Sequence, residues 1–258
     1  MRRKMTYLLV AVLATVFLSA TVGSGGSSTM DDRIESAAKN SYVFKTYLRN
    51  DDIDVRSENG VVTLTGTVPD DSLKSLAEET VANLPGVKRV DNGLVVKEKQ
   101  PVEHSDAWLR ARVSLALLFH RNVSALKTDV DVKDGVVMLR GEASSEAQKE
   151  LTTEYAKEVE GVKQVKNEMT VVPESGKKPQ ETLGEKIDDA SITAQVKLTL
   201  FLHKATSWIN TEVDTTDGAV TLRGKARNAA ERDLVTRLAS DIHGVKSVKN
   251  DMTVEGSE

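Results

Sequence analysis

Four histidines, several acidic pairs, three Gly-bounded stretches and two tryptophans are the residues of this chain whose types could carry chemistry. His104, His120, His203 and His243 are the only imidazoles, and the 258 residues hold no cysteine. That absence excludes disulfides, thiol nucleophiles, cysteine-ligated metals and lipid attachment at an N-terminal cysteine. No two of the histidines have the close spacing of metal ligands. His120 and His203 instead recur at equivalent places near the end of a helical stretch, where the helix dipole favours a cation, so a capping or surface role is expected of them and no metal site is expected. Asp51-Asp52 and Asp188-Asp189 could in principle form acid/base pairs, but both fall where helix starts and loops are predicted. The run Asp134-Gly135 to Gly141 looks like a phosphate loop, yet no Lys-Ser/Thr follows it, and a strand rather than a helix lies between the glycines. No nucleophile, base and orienting group can be assembled, so no catalytic residue, cofactor or small-molecule substrate is expected.

The elements that position these residues are repeated. Asn59-Gly60-Val61-Val62-Thr63-Leu64-Thr65-Gly66 returns as Asp134-Gly135 to Gly141 and as Asp217-Gly218 to Gly224. Gly60 and Gly135 lie 75 positions apart, Gly135 and Gly218 83 apart. Gly86, Gly161 and Gly244 keep these offsets, as do Asn92, Asn167 and Asn250. A unit of roughly 70 residues, near the lower limit for burying its own core, is therefore present three times. Each copy begins with a helical stripe, such as Ile34, Ala38, Ser41, Phe44 and Leu48 in unit one. The matching stripe is strongest in unit two, from Leu109 to Val123, and weakest in unit three, from Ile192 to Thr206. A short strand, the Asx-Gly turn and an alternating strand follow as a hairpin, ended by Gly66 and its equivalents, which allow a bulge or the approach of the next helix. A second helix starts at Asp70-Asp71 or Ser145-Glu146, stops at Gly86 or its equivalents, and leads through Val-x-x-Val to a last strand.

The predicted fold is α+β: three tandem αββαβ units, each a three-stranded mixed sheet with two helices on one face. The helical crossover makes the second and third strands parallel, and strand one is placed in the middle of the sheet. The open sheet face and the sheet edges are candidate packing or partner surfaces. Predicted boundaries are 1–29 for a leader, 30–98 for unit one, 104–172 for unit two, 173–185 for a linker and 186–255 for unit three. The linker, with Pro173, Gly176, Pro179 and Gly184, predicts relative motion of unit three.

The leader has a basic start at Arg2, Arg3 and Lys4, an apolar Met5–Ala20 and a small-residue stretch at Gly23–Ser28. It fits a removed secretory signal or, as the alternative, an uncleaved anchor. Periplasmic location with membrane association as an option follows from either. Without residues 1–29 the chain carries 32 basic and 39 acidic residues, a net −7. A basic surface for nucleic acid is therefore not expected, and attraction to anionic lipid would have to be local.

The repeated motif, D/N-G-x-V-x-L-x-G followed by a helix and G-V-x-x-V-x-N, resembles that of the BON family, in particular its exported osmotic-stress type. The resemblance covers 31–98, 106–172 and 187–254, and departs from that type in having three units. It implies an envelope-associated, non-enzymatic protein linked to phospholipid binding or envelope maintenance. Trp108 aligns with Arg33 and Ser191, and Trp208 with Asn50 and Ala125, so both tryptophans are expected to be exposed or at the core margin. Helix one of unit two carries Arg110, Arg112 and Arg121 around an apolar run that includes Leu115 and Phe119. Trp108, Arg110, Arg112, Leu115, Phe119 and Trp208 thus form a candidate phospholipid- or partner-binding set. The alternative is that the extra apolar surface is buried against another unit. The runner-up function is a periplasmic chaperone or interaction scaffold holding clients on open sheet faces.

Overall fold

A computed structural model describes residues 25–97, 105–173, 187–206 and 210–255. The candidate cleavage sites, most of both linkers, His104 and Trp208 lie outside the described residues. In unit one, α1 (Gly25–Asn40) and α2 (Tyr42–Thr46) precede β1 (Asp52–Glu58), β2 (Val61–Val68), α3 (Asp71–Ala82) and β3 (Arg89–Val96). Unit two has α4 (Asp106–Phe119), β4 (Thr128–Lys133), β5 (Val136–Ala143), α5 (Glu146–Lys157), β6 (Gln164–Asn167) and β7 (Thr170–Val171). Unit three repeats this with α6 (Asp189–Leu202), β8 (Thr211–Thr216), β9 (Ala219–Ala226), α7 (Ala229–Ser240), β10 (Ser247–Asn250) and β11 (Thr253–Val254).

Each sheet is mixed and effectively three-stranded, since β6/β7 and β10/β11 are interrupted single strands. The second strand, not the first, is central: β2 pairs antiparallel with β1 and parallel with β3. The hairpin occupies one flank of β2, so the helical crossover can return only to its other flank. Val55, Val62, Leu64 and Leu94 point to the helices and are buried, while Asp54, Arg56, Thr63 and Thr65 face out. Burying each such aliphatic side chain contributes about 1.5–3 kcal/mol.

The repeated glycines and asparagines have specific work. Asn59, Asp134 and Asp217 have φ near +50° to +55°, as the tight turn requires. The strands run two residues past Gly66, Gly141 and Gly224 rather than ending there. A Cβ at those glycines would collide with the carbonyl oxygens of Asp52, Lys127 and Asn210, so the close approach is by strand one's backbone, not by the following helix. Asn167 Nδ2 donates to Lys149 O (2.8 Å) and Thr153 Oγ1 (2.7 Å), and its Oδ1 accepts from Met169 N (2.9 Å). Asn92 and Asn250 make the corresponding ties, so this residue buckles the last strand to helix two in every unit.

The first helical acidic residue is likewise repurposed. Asp106 Oδ1 and Oδ2 accept from Gly135 N (2.9 Å) and Asp134 N (2.8 Å). Asp31 and Asp189 clasp their own Asx-Gly turns in the same way. The helix caps are the preceding Ser105 and Asp188, while α1 begins ahead of Asp31, at Gly25. On the other side of each turn Lys88, Lys163 and Lys246 donate Nζ to the Asx carbonyl. These carboxylates are spent on backbone N–H groups, which fits turn architecture rather than acid/base work.

The three units pack around α6. Eleven of its 14 residues are buried. Its outer side lies against α3 of unit one, which makes Leu76 0% exposed where its equivalent Leu151 in unit two is 36% exposed. The stripe that looked weakest from sequence is therefore the most thoroughly covered. This wedging is at odds with the expected freedom of unit three.

Candidate functional site

The candidate residues fall in two places: the edge that carries the predicted binding set, and the seam between units two and three. At the edge, Ser105 caps α4 by accepting from Trp108 N (3.3 Å) and so fixes the first turn. One helical turn on, Arg112 lies with its guanidinium carbon 4.4 Å from the Trp108 ring centroid and 5.0 Å from that of Phe201 in α6. Trp108 is half-buried and Arg110 exposed. Arg112 is only 9% exposed, and Leu115 and Phe119 are buried. The Phe119 ring meets Tyr47 of unit one edge-on at 5.3 Å.

The structure thus splits the predicted set. Trp108 and Arg110 remain at the surface. Arg112, Leu115 and Phe119 do not, because the additional apolar surface of α4 is covered by the other units. Phe201 was missed by sequence reasoning. It is 38% exposed on a helix that is otherwise buried almost all round. Its signal was an aromatic off the apolar stripe, beside an already apolar run.

At the seam, units two and three meet about a local two-fold relation. His120 bridges Ile242 and His203 bridges Val159, each antiparallel, and these pairs exchange under the 83-residue offset. Arg121 N donates to Asp241 O and Lys204 N to Glu158 O, both at 3.0 Å. The histidines are therefore interface residues, 3% and 9% exposed, rather than surface caps. Together with Thr199, Tyr155, Glu158 and Leu238 they line a small cavity on this axis. His120 stacks on Tyr155 with ring centroids 3.6 Å apart, and Tyr155 donates its hydroxyl to Asp241 Oδ2 (2.8 Å). Burial, reinforced by the neighbouring His203, pushes the His120 imidazole down to about 3. Burial also lowers His203, although Glu158 opposes it. Among the described residues no group of three or more His, Asp or Glu is arranged to hold a metal.

The model of the BON domain matches residues 30–98, 105–173 and 188–256. The chain belongs to the BON domain family. Among curated proteins this BON chain is 33% identical over 147 residues to osmotically-inducible protein Y of Escherichia coli K12, covering 57% of the chain and 71% of that protein. It is 26% identical over 181 residues to the outer membrane lipoprotein DolP of Haemophilus influenzae, covering 61% of the chain and 92% of that protein. No helix among the described BON residues is long and apolar enough to cross a membrane.

Proposed function

We propose that this BON protein is a non-catalytic, exported envelope protein that docks on anionic phospholipid surfaces during osmotic or envelope stress. The observation that carries this reading is the Trp108–Phe201 edge: a half-buried indole and an exposed phenyl ring flanking Arg112, with Arg110 exposed beside them. Aromatic rings next to arginine suit the headgroup boundary, where one end is apolar and the other meets phosphate. The two relatives, one named as osmotically inducible and one as an outer membrane lipoprotein, support an envelope setting. The exported, periplasmic placement rests on the basic, apolar and small-residue order of the first 28 residues.

A client-holding scaffold ranks second. Its natural platform, the open sheet faces, is lined by ion pairs such as Arg56–Asp54, Arg89–Asp91 and Arg140–Glu168, a poor surface for unfolded apolar chains. Flotation of the protein with liposomes separates the two. Binding that requires anionic lipid, weakens in high salt and is lost in Trp108→Ala/Phe201→Ser supports docking. No flotation, with suppression of client aggregation that ignores those substitutions, would replace it with the scaffold.

A further inference from the structure

We propose that His120 and His203 form an acid-opened latch between the second and third units. The geometry carries it. Both residues sit in the two reciprocal bridges that join the units. Within one cavity His120 Nδ1 and Thr199 Oγ1 are buried without a hydrogen-bond partner, and His203 Nε2 has only Glu158 Oε2 near it, at 3.4 Å. A second proton on His120 would therefore place a charge in an apolar seam with poor means of solvating it.

The two rings differ in what faces them. His203 Nδ1 accepts from Ala205 N (3.1 Å), which assigns its proton to Nε2, 3.4 Å from Glu158 Oε2. Charging His203 would put a proton on Nδ1 and break the Ala205 contact, but Glu158 offsets part of the cost. His120 has no such carboxylate. Asp241, the counterpart of Glu158, is already engaged by the Tyr155 hydroxyl. The other charged groups around the pair are cationic or become so: Arg121, Lys204, Arg237 and His243. Acid therefore adds positive charge to a joint that already has an excess of it, and His120 is the stronger half of the latch.

Parting the units returns His120 to water and its ordinary value of 6.5, against about 3 when the seam is shut. Protonation therefore favours the open form below 6.5, and the shut-to-open ratio falls by about two hundredfold between pH 7 and pH 4 from His120 alone.

The test uses the full chain. Because it has no cysteine, Asp129→Cys and Glu212→Cys, exposed on β4 and β8, take spin labels selectively. The interlabel distance distribution should be single and narrow at pH 7.5 and longer and broader at pH 4. His120→Phe, which keeps the ring stacked on Tyr155, should hold the narrow pH 7.5 distribution at pH 4. An unchanged wild-type distance, or the same opening in His120→Phe, overturns the latch. Loss of far-UV signal over the same range as the distance change also overturns it, since the units and not their joint would then be failing. If His120→Phe does not fold, the wild-type His120 ring decides by NMR. A midpoint well below 6.5 that coincides with opening supports the latch, and one near 6.5 overturns it.

Discussion

The two joints that hold unit three differ in kind. Its seam with unit two is reciprocal, built from equivalent residues facing one another across a local two-fold. Its joint with unit one is one-sided: α6 lies on α3, and its capping residues reach across to α2. Asp188 Oδ2 accepts from Tyr42 N (2.7 Å), Ser191 Oγ accepts from Val43 N (3.1 Å), and Lys197 Nζ meets Glu79 at 2.9 Å. Units of one fold thus assemble in two ways. Lys45, exposed in unit one, occupies the position of His120 and His203, and a lysine there cannot enter a dry seam without a partner. Unit one turns instead to the outer face of its second helix.

The largest effect is expected where both joints meet. Phe119 fills the core of unit two, touches Tyr47, and its carbonyl accepts from His243 N. Phe119→Ala should lower stability by about 3–5 kcal/mol in denaturant unfolding and loosen both joints. If the joint to unit one survives, the two are less connected than the geometry implies.

Acid should separate the joints next. His120 is depressed in the folded state, so its contribution is complete above 6.5 and is lost as pH falls toward about 3. Asp106 is also depressed, chiefly by the backbone N–H groups of Gly135 and Asp134, but a lowered carboxylate loses its contribution only below its ordinary 3.8. Hydrogen exchange at the Arg121 and Lys204 amides, corrected for intrinsic rate, should therefore quicken between pH 6.5 and 4, before the Asp134 and Gly135 amides respond. The reverse order would remove the distinction.

Asp188→Ala should act on the other joint alone. It removes the cap of α6 and the acceptor of Tyr42 N, costing about 1–2 kcal/mol. Exchange should accelerate at Tyr42 and Val43 while Arg121 and Lys204 hold. The smallest effect belongs to Glu79→Gln. Its pair with Lys197 is partly exposed and should be worth about 0.5 kcal/mol or less by double-mutant cycle.

The legibility of the site followed the same division as the joints. The histidines were recognisable as equivalent positions, yet a helix-end role suggested solvent, because the partner that buries each one comes from another unit. The run from Leu115 to Phe119 announced surplus apolar surface without saying what covers it. The clasp of Asp31, Asp106 and Asp189 on their turns was within reach of sequence, since each aspartate stands 28 positions ahead of its Asx residue.

By itself the sequence determined what depends on neighbours within a unit: three αββαβ units, their hairpin turns and the parallel return of the last strand. Those follow from periodicity, turn chemistry and chain connectivity, each acting within one unit. The second helices, however, end at the caps Asn83, Glu158 and Asp241, three residues before the expected Gly86, Gly161 and Gly244. Strand order within the sheet, the central place of α6, the exposure of Phe201 and the burial of Arg112, His120 and His203 were decided only by the tertiary structure. These depend on surfaces from different elements or units meeting, and one face can satisfy its apolar surface against any of several complementary partners.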